Sequence, residues 1–82
     1  MTTEEKARLA KEALDNPVLQ MAVTDLKQDL MSTWAKSDAF DTKGREQAFL
    51  YHRALDTILS RVRGYVADLQ VETHNKELRR DI

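Results

Sequence analysis

Apolar side chains recur along this chain in steps of three and four, in three blocks, and that rhythm predicts helices. Leu19, Val23, Leu26, Leu30 and Trp34 follow one another at spacings of four, three, four and four. Met21, Ala22 and Met31 widen the stripe, while Thr24, Asp25, Lys27, Gln28 and Asp29 fill a polar face. An amphipathic helix over 17–36 follows. In the last block Ala48, Tyr51, Leu55, Ile58, Val62, Tyr65 and Leu69 alternate by three and four without a break. That is a heptad seam, and it predicts a long helix over 43–71. Leu59 and Val66 extend the seam on one flank, and Phe49 and Leu50 add apolar surface near its start. Beyond Val71 the pattern decays, and residues 72–82 read as a charged tail expected to fray.

The first block is thinner. Leu9, Ala10, Ala13 and Leu14 are the apolar residues of a short helix over 4–15, with Thr3 as its cap and Glu4 and Glu5 in the first turn, where the helix dipole favours acids. So small a stripe predicts weak packing. Asn16-Pro17 then punctuates the chain: proline disfavours helix at the residue before it and suits the first position of a new one, so Asn16 is expected to cap the second helix. Residues 37–42 form the next connection, with Asp41 or Thr42 capping the third helix and Phe40 expected to fold back over the turn. A connection this short makes the second and third helices antiparallel neighbours. Gly64 sits inside the long seam, where it either permits close approach by another helix or is simply tolerated.

The predicted fold is therefore all-α: one domain, a helical hairpin of two long antiparallel helices with a short N-terminal helix. The seam of the third helix outruns the second helix, and the first can cover only part of the excess. An 82-residue chain with no cysteine has no disulfide or thiolate metal site to compensate for a small core. Oligomerisation is left as the route to a complete bundle. A homo-oligomer, dimer or higher, or an equivalent protein partner is expected on Tyr51, Leu55, Ile58, Val62, Tyr65, Leu69 and Trp34.

Charge changes this picture little. Lys and Arg number 13 against 14 Asp and Glu, a net charge of −1, so there is no global pull toward nucleic acid or an anionic membrane. The distribution is uneven, with residues 1–42 at −3 and residues 43–82 at +2. Arg61, Arg63, Arg79 and Arg80 are the candidate nucleic-acid contacts, but acids are interleaved with them, and nucleic acid is the less favoured partner. No apolar run is long enough to span a bilayer, and the acidic N-terminus does not read as a signal peptide.

No catalytic, cofactor or metal site is expected. His52 and His74 form no zinc-binding pair, neither glycine belongs to a phosphate loop, and Asp38, Asp41 and Gly44 lack the spacing and terminal glutamate of a calcium loop.

The run Asn16-Pro17-Val18-Leu19, an amphipathic helix ending at Trp34, and then Asp41-Thr42-Lys43-Gly44-Arg45-Glu46 resemble a pattern in small tailed-bacteriophage proteins. The resemblance covers roughly residues 14–70 and transfers no functional residue. It implies a place among head or DNA-packaging genes, hence the cytoplasm of a bacterial host or the virion. The expected function is a non-enzymatic structural or protein-interaction module acting as a helical oligomer. The alternatives are a nucleic-acid-associated packaging accessory similar to a small terminase subunit, and a small phage inhibitor of a host protein.

Overall fold

The computed structural model describes residues 1–80, and among them the chain is all-helical: α1 (Thr3–Asp15), α2 (Pro17–Lys36) and α3 (Thr42–Arg80). Each start is explained by a side chain that accepts backbone N–H groups left unpaired in the first turn. The first cap is Thr2 rather than Thr3: its Oγ1 accepts from Glu5 N at 3.1 Å. Asn16 caps α2 as its position before Pro17 predicts, accepting from Val18 N at 2.9 Å and Leu19 N at 3.1 Å. Asp41 caps α3, accepting from Gly44 N at 2.9 Å. Glycine at 44 leaves room for this cap, because a Cβ there would lie 2.9 Å from the Asp41 Cγ and push that side chain aside.

The junction between α1 and α2 is a single residue. Asn16 takes an extended conformation (φ −71°, ψ 118°), its N–H donates to Ala13 O at 3.2 Å, and the Gln20 side chain donates to Leu14 O at 2.7 Å. One residue thus closes one helix and opens the next. Asn16→Ala is expected to lower stability by about 1 kcal/mol, read as a shift in the urea midpoint.

Both helices contact α3, at positions further along it the earlier they lie in α1 and α2. Near the turn, Arg45 stacks on Trp34 at 5.3 Å and donates to Ser37 Oγ at 2.8 Å. Midway, Lys27 Nζ meets Asp56 Oδ1 at 2.9 Å. Further out, Lys6 lies over the Tyr65 ring at 5.8 Å, and Thr3 beside Glu72, together with Lys76, holds that carboxyl below its ordinary pKa. α1 therefore continues the line of α2 and covers the stretch of α3 that α2 does not reach. The result is long and thin, 62 × 26 × 19 Å, with a radius of gyration of 18.3 Å. A compact chain of this length has about 12 Å.

Three expectations are corrected here. α1 does not pack weakly: Ala7 and Ala10 are among the most buried residues, because small side chains let its backbone approach α3 closely. Phe40 does not cover the turn. It is 91% exposed, because Asp38 Oδ1 accepts from Phe40 N and Asp38 O from Asp41 N, a local turn that directs the ring outward. The stacked Trp34 and Arg45 close that end instead. Of the two readings of Gly64, close approach by another helix is the one corrected: among the described residues an added Cβ there would meet nothing within 4 Å.

α3 also runs through most of the charged tail to Arg80, past Val71. A Lys76–Glu72 pair at 3.3 Å, one turn apart, and the Thr3 contact to Glu72 tie this stretch down. The last two residues of the predicted tail, 81–82, lie outside the described residues.

Candidate functional site

An α-helix turns about 100° per residue, so exposure along α3 shows which of its faces is covered. Ala48, His52, Leu55, Leu59, Val62, Val66 and Leu69 are buried or half-buried. Their spacings of four, three, four, three, four and three form a heptad seam. This inner seam shares Ala48, Leu55, Val62 and Leu69 with the seam read from the sequence and replaces Tyr51, Ile58 and Tyr65 by His52, Leu59 and Val66. Tyr51 and Ile58 are 57% and 61% exposed, and Tyr65 is half-buried under Lys6. The long helix thus carries an inner seam and, along its edge, the further apolar residues Tyr51, Ile58 and Tyr65.

The helix pair has two sides. On the first, Lys27 and Asp56 join α2 to α3, and His52 Nδ1 lies 3.4 Å from the same carboxylate. The Lys27 hydrogen bond, reinforced by the nearby charges of Lys27, His52 and Arg63, holds the Asp56 carboxyl below its ordinary pKa. A carboxylate depressed in the folded state stabilises fully above its unfolded pKa of about 3.9 and loses that contribution as pH falls through the lower folded value. Asp56→Asn is therefore expected to flatten the acid limb of the stability–pH curve, measured by chemical unfolding between pH 5 and pH 2 (about one unit above to two units below the ordinary carboxylate value). Toward the turn, the same side opens into a cleft of about 390 Å³ lined by Leu30, Met31, Trp34, Ala48, Phe49 and His52. Toward α1 it holds Arg63 beside Leu14, Leu19 and Leu59.

The second side has no ion pair joining α2 to α3 among the described residues. Helical periodicity puts Ala22 and Leu26 of α2 there, facing Tyr51, Ala54, Ile58 and Tyr65 of α3. Ala22 and Ala54 are exposed, and Leu26 is 46% exposed. The Tyr51 hydroxyl already accepts from the Gln47 side-chain amide at 3.1 Å.

Of the predicted contact residues, Leu55, Val62 and Leu69 face inward, Tyr51 and Ile58 line the second side, and Trp34 borders the cleft of the first. The four arginines do not converge. Arg61 and Arg63 are two positions apart, about 200° of helix, so they face different sides. Arg79 and Arg80 end α3, away from both. Sequence reasoning missed the cleft beside Trp34, although Met31, Trp34 and Phe49 carried the signal as apolar residues just off their stripes.

Among the described residues no three His, Asp or Glu side chains cluster as a metal site, and no helix is long and apolar enough to cross a membrane. Comparison with protein-family models, curated proteins and solved structures returned no match.

Proposed function

We propose that this chain is a non-enzymatic protein-interaction module, a helical hairpin with one broken arm that acts as an oligomer. The supporting observation is apolar surface left in water. Fifteen large hydrophobic side chains are exposed, whereas Leu59 is the one large buried side chain among the described residues. The accessible surface is 6920 Å² for 9.5 kDa, against about 5,000 Å² for a compact monomer of that mass. Where such side chains lie together on one side of the helix pair, as Leu26, Tyr51 and Ile58 do, they mark a place where another macromolecule binds. The resemblance to small tailed-phage proteins supplies the setting proposed with it, head assembly or DNA packaging.

Sedimentation equilibrium and thermal melts over a range of concentrations test this reading. A mass above 9.5 kDa and a Tm that climbs with concentration are expected. A mass of 9.5 kDa and a constant Tm throughout would overturn it.

A further inference from the structure

We propose that the partner is a second copy of this chain, docked on the side marked by Leu26, Tyr51 and Ile58, with α2 of each copy lying antiparallel on α3 of the other. This rests on the reading of the chain as a self-associating module and adds which side is used and in what arrangement.

Three observations select that side and that occupant. The first is the widened seam. Tyr51, Ile58 and Tyr65 repeat at steps of seven along the edge of the inner seam, next to its members Leu55 and Val62. A helix apolar beyond the width of one seam serves two helical neighbours, and the second neighbour must carry the same repeat. This chain's own α2 and α3 carry it.

The second is polarity. A helix laid on the opposite side would cover the Lys27–Asp56 pair and His52, and removing charges from water there is costly. The apolar cleft of that side is confined to the turn end, between Met31, Trp34 and Phe49. On the proposed side the Tyr51 hydroxyl oxygen already accepts from Gln47, and among the described residues no ion pair joins α2 to α3 there. The surface excess over a compact monomer, about 1,900 Å², is enough for one such contact, since a standard interface buries about 800 Å² on each partner.

The third is charge. Asp25 and Asp29 lie on the outer rim of α2 and Arg61 on the corresponding rim of α3, all exposed. A two-fold axis parallel to the helices places α2 on the partner's α3, with Asp25 about one helical turn along the axis from the second copy's Arg61. An axis across the helices would instead bring Asp25 and Asp29 toward their own duplicates and Arg61 toward another Arg61. Like charges facing one another disfavour that arrangement.

The test compares single-site variants of the full chain by sedimentation equilibrium, with far-ultraviolet circular dichroism at low concentration as the fold check. Ile58→Asp is expected to weaken dimerisation about 100-fold, the size of effect seen when a central interface side chain is lost. Its effect on the isolated chain is small, because Ile58 is already exposed. Phe49→Asp, on the other side and 60% exposed, is expected to leave the dimer intact. Arg61→Glu is expected to weaken association about five-fold, and adding Asp25→Arg to recover it. A dimer that survives Ile58→Asp, or one that is lost with Phe49→Asp instead, overturns the proposed side while leaving the module reading intact. Failure of Asp25→Arg to recover Arg61→Glu overturns the pairing of α2 with α3. A wild-type chain that stays at 9.5 kDa overturns both this inference and the reading beneath it.

Discussion

Leu59→Ala is expected to lower the unfolding free energy by about 2–3 kcal/mol, the lower part of the range for buried leucines. Leu59 is 8% exposed and is the one large side chain counted as buried among the described residues. It lies where both arms of the line along α3 converge, beside Leu14 of α1 and Leu19 and Val23 of α2. Truncation there removes packing from both helices at once. The neighbours close on the cavity only in part, since each is held by its own helix. Leu78→Ala, at a half-exposed position near the end of α3, is the control and is expected to change stability by less than about 0.5 kcal/mol. Urea unfolding followed at 222 nm reads both. Equal effects of the two substitutions would show that the contacts around Leu59 do not concentrate the stability of the fold.

Ala10→Leu is expected to have the next largest effect, about 1–3 kcal/mol of destabilisation. Ala7 and Ala10 are 4% and 5% exposed because α1 lies close against α3, and no space is left for a branched side chain at either place. Leucine is as good a helix former as most residues, so the loss does not come from propensity. It comes from wedging α1 away from α3, which also separates Lys6 from Tyr65 and Thr3 from Glu72. Hydrogen exchange is the discriminating measurement. Protection should fall across 3–15 and remain across 17–36, whereas a uniform fall would mean that α1 and α2 open as a single unit.

Much of the architecture was legible before the structure. Asn16 and Pro17 carry enough local chemistry to place the junction without any tertiary information, and Lys36 ends α2 where the apolar stripe stops. The start of α3 follows from Asp41 in the same way. What failed was the choice between neighbouring seams. Tyr51, Ile58 and Tyr65 outweigh His52, Leu59 and Val66 in apolar bulk mainly because His52 is polar, so a pattern read by hydrophobicity selects the former set. The structure selects the latter, because His52 has Asp56 one turn away and Lys27 across the contact, which makes a half-buried histidine acceptable there. Four residues belong to both seams, so periodicity alone cannot separate them. The closeness of α1 was missed for a related reason: alanine scores weakly as a hydrophobe, yet its small size is what permits the contact.

The single-residue junction at Asn16 also orders the way this chain folds. Ser37 and Arg45 are neighbours across the turn, so their loop is short, whereas Thr3 and Glu72 meet only after nearly the whole chain has been closed into a loop. The difference in closure entropy is about 2 kcal/mol in favour of the local contact. Pairing is therefore expected to start at residues 37–45 and zip outward along α2 and α3, with α1 docking last as a separate segment. Pulse-labelled exchange during refolding should find α1 protected later than α2. During synthesis α1 is made before α2 and well before the stretch of α3 that receives it, so of the two it waits longer for its place in the fold.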